Sequence, residues 1–112
     1  MHFFAACRHS ARGLRRLWPE TAFRIQLLLG AGALAGLLWL GVAGRDLAIF
    51  AVLFLLLVAV EALNTAIEVI VDHLAPDWQA FARDAKDLGS LAVACVYGVH
   101  AVFLVWMVMV YL

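Results

Sequence analysis

Apolar residues dominate this chain in three long blocks, about residues 25–44, 47–66 and 91–112, separated by short polar stretches. Each block is near the roughly 20 helical residues that cross a bilayer core about 30 Å thick. Ahead of them, Phe3, Phe4, Cys7, Ala11, Leu14 and Trp18 recur at helical spacing, while Arg8, Arg12, Arg15 and Arg16 fill much of the other face. That pattern predicts a helix over 3–18 lying on a membrane surface. Pro19 cannot continue this helix but suits the first turn of the next, so a break near Trp18-Pro19 directs the chain into the bilayer. Arg45-Asp46 leaves room only for a hairpin turn between the first two spans, and Pro76 ends the second pattern. The expectation is an all-α membrane protein, one surface helix plus three transmembrane helices, forming a single integral-membrane domain over residues 1–112.

Composition sharpens this picture. Of 112 residues, 67% are hydrophobic and 14% charged, too apolar for a soluble domain of this size. About 50 residues outside the spans cannot build a separate substrate domain of ordinary size, so any chemistry must use helix ends, short loops and neighbouring subunits. Net charge is zero, but its distribution is uneven: Arg8, Arg12, Arg15, Arg16 and Arg24 precede the first span against the single acid Glu20. The positive-inside rule then puts the N-terminus in the cytoplasm, Arg45-Asp46 outside, residues 72–87 inside and Leu112 outside. The first apolar run is longer than a signal-peptide core, so no cleaved leader is expected. Cys7 and Cys95 read as small apolar residues rather than a bridge, and His100 as a neutral packing residue. Gly32 and Gly36 form a small-xxx-small pair suited to close helix approach.

One stretch breaks the apolar logic. In "EALNTAIEVIVD", residues 61–72, spacings of three, four and four place Glu61, Asn64, Glu68 and Asp72 along one helix stripe. At 1.5 Å rise per residue, Glu61 sits roughly 10 Å deeper than Glu68. A carboxylate at that depth costs several kcal/mol unless neutral, paired or bound to a cation. Three readings compete: a stripe paired with a neighbouring helix or with Arg24, a proton or cation relay, and a shallow site open to the cytoplasm. A relay needs polar groups over the full depth, and the 14 uncharged residues from Leu47 to Val60 do not supply them. In the third reading the acids hold magnesium together with nucleotide phosphates, and one acts as a base. Lys86, Asp87 and Ser90 stand on the same membrane side, with Lys86 and Ser90 on one helix face. An ammonium, a metal site and a deeper base are the parts that phosphoryl transfer uses.

"EALNTAIEVIVD", followed after a short loop by "AKDLGS", resembles the prokaryotic integral-membrane diacylglycerol kinases, and "GLRRLWPETAFRIQ" resembles their N-terminal region. The resemblance covers nearly the whole chain. It implies a homotrimer in the bacterial cytoplasmic membrane, with sites composed from neighbouring subunits and no nucleic-acid partner. It also implies transfer of the γ-phosphoryl group of magnesium ATP to a lipid hydroxyl. By matching position, Glu61 is implied as the general base, and Glu20 and Glu68 as Mg2+ ligands set against the ATP phosphates. Asn64 is implied to organise the nucleotide site, Lys86 and Asp87 to contact the nucleotide, and Asp77, Trp78 and Gln79 to lie where the family's loop approaches ATP. Ser10, Arg15, Trp18, Ala22, Phe23, Arg24 and Ser90 align with the lipid-facing part, as does Glu61. The chain departs from the family at Gln26, where some members have an acid, and at His9, where tyrosine is frequent. "DLGS" with Ser90 favours 1,2-diacylglycerol as acceptor, giving phosphatidic acid and ADP. "FRI" and "LNTAIE" are equally at home in the undecaprenol kinases, which stand as the alternative. A non-enzymatic membrane scaffold or ion relay is the further alternative.

Overall fold

The computed structural model describes residues 2–112. It has four helices, α1 (Phe3–Leu17), α2 (Thr21–Leu40), α3 (Gly44–Leu74) and α4 (Ala80–Tyr111). In α1 the arginines and apolar residues separate onto two faces as their spacing predicts, and Arg15 and Arg16 in the last turn complement the negative end of the helix dipole. The break falls at Trp18-Pro19, but Pro19 lies one residue ahead of the N-cap Glu20 rather than inside the first turn of α2. Three helices are long and apolar enough to cross a membrane.

Two boundaries differ from the sequence reading. The turn between the first two spans is at residues 41–43, and Arg45 and Asp46 belong to the first turn of α3. Gly41 takes a left-handed conformation (φ 70°), and its N–H closes onto the last carbonyls of α2, as glycine permits after a helix. The hairpin therefore forms where the glycine is, not where the charge is. Helical order in α4 likewise begins at Ala80, far upstream of the apolar run that starts at Leu91. Charged residues are compatible with helix as long as they need not enter lipid.

Length decides where the polar residues lie. α3 and α4 have 31 and 32 residues, so at 1.5 Å per residue each spans about 46–48 Å. That exceeds a bilayer core of about 30 Å. The two helices pack antiparallel through the short connection at 75–79, so they can overhang the apolar zone together at that end. α1 packs against α3 at the same end, with Leu17 buried. Val71, Ala75 and Ala82 form a small core inside the overhang.

The opposite end is held by a larger core of Leu37, Phe50 and Met107, with Phe54 and Phe103 packed beside it. His100 is the packing histidine expected: its Nε2 lies 2.9 Å from the Leu53 carbonyl oxygen and its ring meets Phe50 edge-on. Gly30, rather than Gly32 or Gly36, makes the close approach between spans. A Cβ on Gly30 would run into the Phe54 ring, whereas positions 32 and 36 have open space around them. Cys7 and Cys95 are both free.

At this end the Tyr111 hydroxyl donates to the Asp46 carboxylate and accepts from the Ala43 N–H at 3.1 Å. Asp46 is 7% exposed, so Tyr111→Phe would leave a buried charge without its donor. Hydrogen bonds to charged groups contribute about 1.5–3 kcal/mol, so the variant should lose stability on that order in a chemical or thermal unfolding measurement. The rate per folded molecule should be unchanged, because Glu61 is 15 residues further along α3, about 22 Å away. A changed rate would mean that the two ends of the bundle are coupled.

Candidate active site

The stripe predicted on one face of α3 is graded by burial. Glu61 is 4% and Asn64 8% exposed, Glu68 is partly buried and Asp72 is open to solvent. The gradient accompanies the contacts with α4: Asn64 stands against Gly89 inside the bundle, whereas Asp72 meets Lys86 at the solvent-exposed edge. Asn64 donates through Nδ2 to Glu68 Oε1 at 3.3 Å. Its Oδ1 is buried without a hydrogen-bond partner. Glu68 and Glu20 are the charged neighbours of Glu61, so the three acids implied for catalysis and metal binding share one region. Arg24, the alternative partner for the acids, instead donates through Nε to the Trp18 carbonyl at 2.8 Å and lies 5.0 Å above its ring.

Asp72, which had no assigned role, pairs with Lys86 Nζ at 2.5 Å. Glu68 is a further charged neighbour of Lys86. The stripe on α3 is thus electrostatically continuous with the polar start of α4. Lys86 and Asp87 line a cleft of about 340 Å³ whose other walls include Asp72, Asp77, Trp78, Gln79 and Arg83. Five of the residues aligned with nucleotide contacts, Asp77, Trp78, Gln79, Lys86 and Asp87, therefore converge on one polar cleft at the projecting end. The sequence reading missed Arg83, whose guanidinium stands 5.8 Å from the Trp78 ring centroid. Its spacing of three and four from Lys86 and Asp87 on one helix was the available signal.

The lipid-aligned residues divide into separate groups. Ser10 lines an apolar groove of about 770 Å³ between α1 and α3, walled by Leu14, Leu17, Ala62, Thr65, Ala66 and Val69 among others. Phe23 is buried. Arg15, Trp18, Ala22, Arg24 and Ser90 are exposed and line neither this groove nor the polar cleft. Gln26 is wholly buried, with its side-chain amide facing the Glu61 carboxylate. The departure noted at Gln26 thus puts a neutral amide, not an acid, in the buried part of the site.

The donor set suits a hard cation shared with a substrate. Among the described residues no three His, Cys, Asp or Glu side chains converge tightly enough to cage an ion. Glu68 nevertheless offers a partly buried carboxylate, held by the Asn64 Nδ2 donor. Glu20 stands in the same region, paired to Arg16 Nη1 at 2.7 Å. Few protein oxygens with space for phosphates is the pattern magnesium takes at nucleotide sites.

The chain is similar to known proteins over most of its length. A profile of the prokaryotic diacylglycerol kinase family matches residues 8–110. A Sinorhizobium diacylglycerol kinase is 42% identical over 107 residues, covering 93% of this chain and 78% of that protein. The Escherichia coli (strain K12) diacylglycerol kinase is 35% identical over 89 residues, covering 79% and 73%. The Haemophilus influenzae diacylglycerol kinase is 29% identical over 102 residues, covering 88% and 86%. The matched region takes in the whole stripe, the polar cleft and most of α1, so the chain belongs to the prokaryotic diacylglycerol kinase family.

Proposed function

We infer that this chain is an ATP-dependent lipid kinase that transfers the γ-phosphoryl group of magnesium ATP to the hydroxyl of 1,2-diacylglycerol, giving phosphatidic acid and ADP. The observation that carries this reading is the graded stripe, running from buried Glu61 to exposed Asp72 and opening into the cleft that holds Lys86. A water-borne anion can approach from one end and a lipid hydroxyl from the other. The relatives named diacylglycerol kinase support the acceptor.

In this reading the nucleotide occupies the 340 Å³ cleft, with Lys86 and Asp87 at its phosphates and Asp77, Trp78 and Gln79 along its remaining length. Asp72 holds Lys86 extended into the cleft, so the ammonium is already positioned when phosphate arrives. Glu68 and Glu20 are the magnesium ligands, and Asn64 holds Glu68 in place. When bound, the ion neutralises charge on the phosphate oxygens. The acyl chains lie in the apolar groove between α1 and α3, beside Ser10. Arg15, Trp18, Ala22, Phe23, Arg24 and Ser90 bound the lipid side.

Glu61 takes the proton of the acceptor hydroxyl as its oxygen attacks the γ-phosphorus. The bond from that phosphorus to the β-γ bridging oxygen breaks, and ADP leaves with the electron pair. Holding the two substrates in line contributes several kcal/mol of the barrier reduction by orientation. The enzyme is a homotrimer in the bacterial cytoplasmic membrane with α1 on the cytoplasmic face, where ATP is. Only 17–22% of each span is buried within the chain, which leaves apolar faces for lipid and for neighbouring subunits.

The deciding assay incubates detergent-solubilised protein with γ-labelled ATP, magnesium, and either diacylglycerol or undecaprenol in mixed micelles. Label should enter phosphatidic acid. Label in undecaprenyl phosphate alone would reassign the acceptor, and label in neither would remove the kinase reading in favour of a scaffold or relay.

A further inference from the structure

Among the described residues, which include all eight glycines, only Gly30 and Gly89 have anything within contact distance of the side chain they lack. Gly30 faces a phenyl ring inside the apolar bundle, but Gly89 faces the site. A Cβ built on Gly89 would overlap Asn64 Oδ1 and come within 3.2 Å of Asn64 Cγ. The overlap falls on the carbonyl end of the amide, with Asn64 Cγ close behind it, so the Asn64 side chain would have to turn or shift in its slot. Gly89 is buried, as is Asn64. The same Asn64 side chain donates to Glu68 at 3.3 Å, and its oxygen is held against α4 without a hydrogen bond. The absent side chain at position 89 therefore defines the slot in which the amide stands.

We propose that Gly89 is a positioning residue for phosphoryl transfer, acting through Asn64 on Glu68. The inference rests on the assignment of Asn64 and Glu68 to the site. Gly89 also lies three residues after Lys86 and two after Asp87, so this contact ties the spacing between the acid stripe and the polar cleft to one side-chain volume. A methyl group there pushes the amide away from α4, turns the Glu68 carboxylate it holds, and leaves Lys86 and the cleft in place. The effect falls on turnover and on the magnesium requirement, while the Michaelis constant for the lipid stays near its original value.

The test is a cycle of Gly89→Ala, Asn64→Ala and the double variant, read by steady-state kinetics, magnesium titration and thermal unfolding. Gly89→Ala should lower kcat by roughly tenfold or more, the scale of an ångström misplacement in a reacting site. It should also raise the magnesium concentration at half-maximal rate. Truncating Asn64 to Ala keeps only its Cβ, which stands at an ordinary 3.9 Å from the built methyl group. In that background Gly89→Ala should cost nothing further in melting temperature, nor in whatever rate remains. A kcat within twofold of the parent for Gly89→Ala overturns the proposal. So does an equal loss of melting temperature in both backgrounds, which would mean that the methyl group disturbs helix packing generally. Full activity in Asn64→Ala alone would instead remove Asn64 from the proposed site, and the unfolding cycle would still report whether the contact exists.

Discussion

Glu61→Gln should leave the protein folded, membrane-inserted and able to bind magnesium ATP, yet lower its kcat by roughly 100- to 10,000-fold, the usual contribution of a general base. Glutamine has nearly the same shape, so Glu61 at 4% exposure can be replaced without opening a cavity or adding bulk. The neighbouring Gln26 shows that this depth accommodates a neutral amide. The substitution removes only the ability to accept a proton, and a neutral side chain is less costly to bury than a carboxylate. Stability should therefore hold or rise while turnover falls. Measuring melting temperature and kcat on the same preparation separates the two effects. A fully active Glu61→Gln enzyme would mean that the acceptor hydroxyl loses its proton elsewhere, with Asp87 and Asp77 of the polar cleft as the next carboxylates to examine.

Glu68→Gln should act on the metal. Loss of an outer-shell partner alone costs about 10- to 100-fold in metal affinity, and loss of a ligand should cost no less. The half-saturating magnesium concentration is expected to rise by at least about tenfold, with part of the maximal rate recovered at high magnesium. Glu20→Gln is expected to shift the same curve. Its exposed pairing with Arg16 contributes no more than about 1 kcal/mol, so Glu20 can be neutralised without unfolding α1 or α2. An unchanged magnesium curve in Glu68→Gln would reassign that carboxylate to a structural role as the acceptor of the Asn64 hydrogen bond. Comparing the two variants is informative because Glu68 lies within α3 and Glu20 stands at the N-cap position of α2, at the surface-helix junction. If both hold the ion, binding couples the inclination of α1 to the stripe, and the two losses should not add independently.

Much of this protein was legible from periodicity alone. The surface helix, three spans, the break at Trp18-Pro19 and the stripe of Glu61, Asn64, Glu68 and Asp72 depend on repeats of three and four residues and on the thickness of a bilayer. Those are local or solvent-imposed constraints, and one chain carries them without reference to its fold. Even the division between deep and shallow acids followed from rise per residue. The chain's resemblance to a family then attached roles to residues whose chemistry the pattern had only grouped.

Tertiary structure decided the rest, because it concerns distances between elements far apart in sequence. The hairpin formed at Gly41 instead of Arg45-Asp46, since a left-handed φ limits the chain more than a pair of charges does. Asp72 acquired Lys86 as partner only when α4 folded back along α3. His100 found the Leu53 carbonyl and Asp46 found Tyr111 in the same way. Arg83 became part of the polar cleft because helix α4 starts early enough to put it there. Gly89 is the sharpest case: in sequence it is one small residue beside Ser90 between two leucines, and only the approach of Asn64 gives its missing side chain a consequence. Periodicity assigns each residue to a face, but contact between faces is set by packing, where a single methyl group is large enough to matter.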